Sequence, residues 1–475
     1  MVLFKQIIFL LSKYCVWTIE CFVRWDVIPH LILNPMKGKR GETMKKLFFG
    51  GIHPADRKEL SAGKKLTAIE SPKQVVIPLR QHIGRPCDPL VDVGDYVYLG
   101  QKIGDGEGLC VPVHASVSGT VTAITPMPHP GGGSEMAILI ENDGKDSWFD
   151  GITSHDNPDN ITAEELFSLI RESGLVGMGG ATFPTDVKAI SSLKNIDTLI
   201  INACECEPYI TADDALMIAE PKRILDGISL LKKVLTPERA VIAMEDNKKE
   251  AAMIMKEALK EFPEIELLIL PTRYPQGAEK QLVKVVTGRE VPAGSLPRDV
   301  KCAVFNVATA EMIYQAVCEG IPLVRRAVSV TGEGVKNPAN YIVPIGTSFA
   351  HIIEAAGGLT EDVEKIIAGG PMMGKTQETL DVPLVKGTGA VLCLTKQENR
   401  KGTDCIRCGK CVEVCPMHLQ PLYLYRYGKI NRTDLLNKYN LMDCMECGCC
   451  SYTCPAKLPL VETFRVGKQA LKEGK

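Results

Sequence analysis

The sequence predicts a multidomain α/β protein, built as four modules in series behind an N-terminal extension. Three observations carry this reading. A chain of 475 residues is too long for a single core at about 150 residues per domain. Residues 161–318 alternate helical patterns with short buried-strand patterns, as parallel sheets in α/β domains require. The C-terminal stretch carries two identically spaced cysteine runs that no ordinary core needs.

Composition narrows the function classes. With 45% hydrophobic and 24% charged residues, the chain is globular in character and not disordered. Its 55 Lys and Arg against 57 Asp and Glu leave no basic field, which argues against nucleic acid as a partner. Eighteen cysteines exceed ordinary usage but are too dilute for a disulfide scaffold. The composition therefore asks what the thiols are for.

Residues 1–43 read as an extension. Phe4 to Leu33 is apolar but interrupted by Lys5, Lys13, Glu20, Arg24 and Asp26, so it falls short of the roughly 18 apolar residues of a membrane span. No small-residue cleavage site follows a clean apolar core, so a signal peptide fits poorly. Met44-Lys-Lys-Leu-Phe-Phe-Gly-Gly reads as a fresh N-terminus, with an interfacial anchor as the alternative for 1–43.

Residues 44–150 show short strands separated by glycine turns: Val75–Leu79, Val93–Val97, Gly100–Ile103 and the pair within Val111–Val121. This pattern resembles the lipoyl-like flattened β-barrel module, a barrel-sandwich architecture. In that family a carrier lysine sits at a hairpin tip; the matching tip, near His114–Ser118, has none. The module is therefore expected to be structural, with His82 and His114 as scaffold residues.

Residues 151–320 are expected to form a Rossmann-like α/β domain. Ala163–Ser173 is an amphipathic helix with a capping box, Thr162 at N-cap and Glu165 at N3. Then follow strand Thr198–Asn202, helix Ala212–Leu235, strand Ala240–Met244, helix Lys248–Glu261 and strand Glu266–Leu270. Residues 321–375 change to short strands, a helix Phe349–Ala356 and a Gly357-Gly358 stop. They resemble a small β-grasp module of the soluble-ligand-binding type. Residues 376–400 read as a linker, and 401–475 as the cysteine-run domain.

The runs are Cys405-x2-Cys408-x2-Cys411-x3-Cys415-Pro416 and Cys444-x2-Cys447-x2-Cys450-x3-Cys454-Pro455. Three thiolates at this spacing bind three irons of one [4Fe–4S] cluster, and the cysteine before proline reaches across to the other cluster. The expected sets are Cys405, Cys408, Cys411 and Cys454 for the first cluster, and Cys444, Cys447, Cys450 and Cys415 for the second. The whole is a two-cluster, ferredoxin-like domain. Disulfides do not fit four thiols crowded into one loop, and zinc knuckles use isolated CxxC pairs. Cys449 is the odd thiol, because only Cys450 keeps the spacing. Cys15, Cys21, Cys87, Cys110, Cys302, Cys318 and Cys393 are scattered and read as packing residues.

A second constellation is rich in glycine. Gly174-Leu-Val-Gly177-Met-Gly179-Gly180-Ala-Thr-Phe183-Pro184-Thr185 lets backbone approach a ligand closely, but it lacks the strand that precedes a Rossmann fingerprint. Asn202-Ala-Cys-Glu205-Cys-Glu207-Pro208 lies just past a buried strand, where open α/β sheets bind ligands. Tyr274-Pro-Gln-Gly277-Ala-Glu279 and Phe305-Asn306-Val-Ala-Thr309 follow two later strands.

Together these motifs resemble the RnfC family of Rnf-type membrane electron-transport complexes. Over 161–470 the chain is also similar to the flavin- and NADH-binding subunit of respiratory complex I. That family's Gly-x-Gly-Gly-Ala-Gly-Phe-Pro-Thr is here Gly177-Met-Gly-Gly-Ala-Thr-Phe-Pro-Thr185; its Asn-Ala-Asp-Glu-x-Glu-Pro and Tyr-x-x-Gly-Glu-Glu match with Cys204 and Ala278 as departures. Two runs and a barrel in front fit the Rnf protein, since its complex I counterpart has one cluster.

The resemblance implies non-covalently bound FMN held by Gly177, Gly179, Gly180, Lys188, Asn202, Glu205, Glu279, Asn306 and Thr309. It implies that Phe183 and Glu207 face NAD(H), and that no side chain serves as a catalytic base. It also implies ferredoxin upstream, integral membrane subunits as partners, and a peripheral place on the cytoplasmic side of the cell membrane. Flavin between nucleotide and clusters is the sensible order, because a hydride carries two electrons and a cluster moves one. Two other readings share these modules: a soluble NADH-dependent quinone- or cobalamin-reductase relative, and an iron–sulfur electron-wire adaptor without a nucleotide site.

Overall fold

The structure, a computed structural model, describes residues 47–151, 154–155, 157–396 and 402–474. The expectations for 1–43 thus lie outside the described residues. Four sheets and a helical C-terminal domain make up the rest.

The central sheet runs in the order Ile265–Leu270, Arg239–Glu245, Thr198–Ala203, Cys302–Asn306, every pair parallel. Parallel strands covered on both faces read as continuous apolar runs. Leu199 and Ile201 join one core with Ile224 and Ile228, while Ile200 joins the other with Leu282 and Val283. The first strand, Thr198–Ala203, lies inside the sheet, with the second on one side and the fourth on the other. The order in which strands are added therefore reverses between this strand and Cys302–Asn306, and the carboxyl end of such a switch point is where open α/β sheets bind ligands. The helix expected over 212–235 divides into Ala212–Ala219 and Pro221–Leu235. Pro221 has no N–H to continue the first helix and starts the second instead.

The N-terminal module pairs two antiparallel sheets. One runs Gln74–Pro78, Ser134–Asn142, Gly119–Pro128, Tyr96–Val97, and the other Asp88–Pro89, Lys102–Asp105, Val113–His114. Val75, Ile77, Ile103, Val113, Ile138 and Ile140 fill the space between. The hairpin tip at His114–Ser118 is buried, with the Ser116 hydroxyl donating to the Ile345 carbonyl. Such a tip is not free to swing, which is the physical reason no carrier lysine belongs there. Burial pushes His114 down to about 3, so it stays a neutral scaffold residue.

One segment differs from the sequence reading. Residues 376–400, expected as a linker, supply the strand Ala390–Thr395, which lies inside a six-stranded sheet between Arg325–Thr331 and Val363–Ala368. Residues 47–69 form a strap that crosses the molecule: Ile52 pairs with Tyr274, and Thr67–Ala68 adds an edge to the six-stranded sheet beside Tyr341 and Ile342. Helix Phe349–Ala355 packs on that sheet through Phe349, Ile352 and Ile353.

In the C-terminal domain, helices Pro421–Lys429 and Leu460–Lys472 bring Leu424, Leu460 and Phe464 against Cys415, Cys450 and Cys454.

Candidate functional site

Strand pairing sets Asn202 directly beside Asn306 at the carboxyl end of the central sheet. Asn202 is committed to loops and Asn306 to two helix starts. Asn202 Nδ2 donates to the Gly277 carbonyl at 2.8 Å, and its Oδ1 accepts from Cys204 N at 3.1 Å. Asn306 caps its helix by accepting from Ala308 N, and donates to Asp213 Oδ2 at 2.7 Å. The glycine loop closes over this end. Gly177 N donates to the Phe183 carbonyl at 2.8 Å, and Met178 N donates to Thr309 Oγ1 at 3.0 Å.

Gly179 faces Asn306, whose Cβ lies 3.7 Å from where a Gly179 Cβ would stand; a Cβ on Gly180 would meet nothing within 4 Å. Open space against bare backbone is what a bound ligand needs here. Thr182 replaces the glycine of the resembled motif and sits at φ 50, a region that β-branched residues avoid. Two hydrogen bonds hold it: its N–H donates to the Gly177 carbonyl, and its carbonyl accepts from Ile83 N of the barrel.

Charge is gathered round the same opening. Lys188 Nζ donates to Glu279 Oε1 at 2.7 Å and to the Val304 carbonyl at 2.9 Å. Glu205 accepts from Asp213 N at 2.6 Å and from Asp214 N at 3.3 Å, so it serves the start of helix Ala212–Ala219. Burial, with the Glu205 charge beside it, pushes Asp213 up to about 7. Arg326 donates to the Met178 carbonyl at 3.3 Å from behind the loop, and burial pulls it down to about 10. Its Nε is buried with no partner. Open space, a cationic donor and a ring of amides and carboxylates fit a flavin nucleotide.

Glu207 is placed differently. Its carboxylate accepts from Met372 N at 3.1 Å and Met373 N at 2.9 Å, which ties the central domain to the 370–373 loop. Burial raises it to about 7. Phe183 is half-buried at the base of the glycine loop.

Asp213, Arg326 and Lys58 escape a reading of the sequence. The Lys58 ammonium is buried and donates to the carbonyls of Glu205 at 2.9 Å, Glu207 at 3.1 Å and Ile210. A lysine in the strap thus shapes the acidic loop from far away in sequence. The pair Asp213-Asp214 at a helix start is the one legible signal, and it reads equally as dipole compensation.

The cysteine runs surround two separate cavities. One is lined by Cys405, Cys408, Cys411 and Cys454, with Leu422, Tyr425 and Leu460. The other is lined by Cys415, Cys444, Cys447 and Cys450, with Leu424, Val461 and Phe464. These are the crossed sets expected from the spacing. Four thiols converging on an apolar hollow suit a [4Fe–4S] cluster. Cys449 also reaches the second cavity but packs with Ile52 and Tyr274 at the joint to the central domain, whereas Cys450 packs with Cys415 and Phe464.

Comparison with known proteins agrees module by module. Family models match for the RnfC barrel sandwich hybrid domain at 46–145, the Nuo51 FMN-binding domain at 170–315, the SLBB domain at 327–376 and the 4Fe-4S dicluster domain at 404–458. The chain is 45% identical over 399 residues to the C component of the Na(+)-translocating ferredoxin:NAD(+) oxidoreductase complex of Acetobacterium woodii, covering 83% of this chain and 90% of that one. It is 46% identical over 404 residues to the C component of the proton-translocating ferredoxin:NAD(+) oxidoreductase complex of Clostridium ljungdahlii, covering 84% and 88%. The C component of the ion-translocating oxidoreductase complex of Serratia proteamaculans is 40% identical over 399 residues, which is 83% of this chain and 57% of that longer one. Among solved structures, an NAD+-reducing [NiFe]-hydrogenase in the H2-reduced state aligns at 17% identity with a TM-score of 0.47, covering 67% of this chain and 62% of that one.

Proposed function

The chain belongs to the RnfC family of ion-translocating ferredoxin:NAD(+) oxidoreductase complexes, and on that premise we propose how it works. It is an oxidoreductase subunit of an electron-transport complex, with FMN and two [4Fe–4S] clusters as cofactors and NAD(H) as substrate. Its partners are the other subunits of that complex. We assign ferredoxin to the upstream side, integral membrane subunits to the docking partners, and the cytoplasmic face of the membrane to this chain. Among the described residues no helix is long and apolar enough to cross a membrane.

One observation carries the internal order. The cavity lined by Cys415, Cys444, Cys447 and Cys450 adjoins the central domain, where Tyr274 Oη donates to the Cys447 carbonyl at 2.8 Å and Gln281 Nε2 to the Pro416 carbonyl at 3.0 Å. The other cavity has Cys405 and Cys408 exposed. We therefore order the sites as outer cluster, inner cluster, flavin, nucleotide.

When bound, the flavin exchanges single electrons with clusters and a hydride with nicotinamide. The chain's own part is positional. Gly177, Gly179 and Gly180 present backbone to the ligand, and Thr309 fixes the loop through Met178 N. The Lys188–Glu279 pair and Asn202 line the sheet end; Asn306 and Glu205 hold Asp213 at the start of its helix. Glu207 and Phe183 are assigned to the nucleotide side. No side chain is asked to act as acid or base.

The test uses anaerobically purified full chain reconstituted with iron, sulfide and FMN. Flavin absorbance and NADH oxidation by an artificial acceptor are expected, and Gly180→Trp is expected to lose both. Retention of both in that variant overturns the placement.

A further inference from the structure

The barrel module holds a cluster of soft ligands that electron transport does not use. His82, Cys87 and Cys110 each offer a ligand atom within 4.8 Å of the others, and all three are buried. They come from separate segments: 81–87 brings His82 and Cys87, while 106–111 brings Cys110. Cys87 Sγ and Cys110 Sγ lie 3.5 Å apart. Two sulfurs bound to one tetrahedral zinc at about 2.3 Å stand roughly 3.8 Å apart, so little movement is needed.

The histidine is prepared for the same role. His82 Nδ1 lies 3.3 Å from the Ile83 carbonyl, to which it donates as the N–H tautomer. A histidine that ligates through Nε2 characteristically donates its other N–H to a backbone carbonyl, which fixes ring orientation. Its Nε2 accepts only a long bond of 3.2 Å from Val111 N, the residue next to Cys110. A metal at this position takes over that lone pair. Asp105, the nearby carboxylate, is occupied by Arg171 at 2.9 Å and Gly106 N at 2.8 Å. The last coordination position therefore falls to an oxygen of water or backbone.

We propose that His82, Cys87 and Cys110 form a binding site for a thiophilic divalent cation, zinc above all, that clips the two barrel segments together. Binding replaces two S–H bonds by two metal–sulfur bonds and releases two protons, with no change of oxidation state. The choice of metal follows from the donors, since two thiolates and an imidazole suit zinc and disfavour magnesium or calcium. The clip has a reach beyond the barrel. Ile83 N, next to His82, donates to the Thr182 carbonyl at 3.1 Å and so braces the strained turn of the glycine loop. The site is separate from the two cysteine-run cavities, whose thiols it does not share.

The experiment is metal analysis of full-length chain purified anaerobically from cells grown with zinc. About one equivalent of zinc per chain is expected beside the cluster iron, and X-ray absorption at the zinc edge should show two sulfurs near 2.3 Å and nitrogen or oxygen near 2.0–2.1 Å. In the double variant Cys87→Ser, Cys110→Ser the zinc equivalent should vanish while iron per chain stays unchanged. Wild-type chain without stoichiometric zinc, even after incubation with Zn2+, overturns the proposal whatever the variant does. So does zinc retained in the double variant, or a Cys87–Cys110 disulfide in wild-type chain found by mass spectrometry without reductant.

Discussion

The two cysteine runs have the same spacing and different surroundings. In the first, Cys405 and Cys408 are exposed, and a Cβ at Gly409 would meet open space. In the second, Cys447 and Cys450 are buried, and a Cβ at Gly448 would stand 3.1 Å from the Met372 carbonyl. Gly50 of the strap lies against the Cys415 backbone, and Arg273 holds that strap by donating to the Phe48 and Gly50 carbonyls. Equally spaced runs thus acquire unequal surroundings from what packs around them: one cavity has exposed cysteines and the other is walled in beside the central domain. Solvent exposure and hydrogen bonds to sulfur tune cluster potentials over a wide range, so the two need not share one potential.

The largest effect expected concerns electron order. Cys447→Ala should remove the inner cluster's EPR signal and also stop NADH from reducing the outer cluster. Cys408→Ala should remove the outer signal and leave reduction of the inner one intact. EPR of NADH-reduced variants reads this directly, and the reverse pattern breaks the proposed order.

Glu207 tests the joint through pH. Its carboxyl is raised to about 7 in the folded chain from an ordinary 4.5. Between those values the unfolded chain has already lost the proton that the folded chain keeps. Stability from this group is therefore full below about pH 4.5 and is lost as pH rises through 7, by roughly 1–3 kcal/mol. Denaturant titrations at pH 5 and pH 8 should show a smaller loss in Glu207→Gln than in wild type, the difference being Glu207's share, since Asp213 and Glu245 are raised to about 7 as well. Equal slopes in both would disconnect Glu207 from the joint.

Gly409→Ala and Gly448→Ala compare the runs at one position. Both glycines have left-handed backbone, φ 78 and 79. Alanine there costs about 1 kcal/mol from conformation alone. Gly448→Ala should cost about 1 kcal/mol more, because the Met372 carbonyl must give way. Thermal unfolding of the two variants measures the difference, and equal costs would mean that the inner loop is not confined.

Tyr274→Phe is the mildest probe. Losing its bond to the Cys447 carbonyl should cost about 1 kcal/mol and shift the inner cluster's potential. The outer cluster's potential should not move, as redox-titrated EPR will show.

Much of this is legible in the sequence because it is local. Which cysteines line one cavity follows largely from spacing within a loop, and the fourth of each run lines the other run's cavity as the repeat leads one to expect. The parallel sheet is legible because its strands are apolar throughout and its helices amphipathic. Ala390–Thr395 reads as linker for the opposite reason: a short apolar run declares no partners, and its own lie at 329–331 and 363–368. The single helix expected over 212–235 fails at Pro221, a breaker in plain sight that apolar periodicity outweighs.

By itself, then, the sequence determined which residues have the chemistry to hold clusters and which loops bring bare backbone to a ligand, since both depend on neighbours a few positions apart. Only the tertiary structure decided which cavity faces out and which is walled in, that Lys58 shapes the acidic loop, that Arg326 stands behind the glycine loop, and that His82 meets two cysteines. Those depend on segments tens to hundreds of residues apart. What brings them together is burial of the apolar surfaces between modules, and no local pattern records which surfaces will meet.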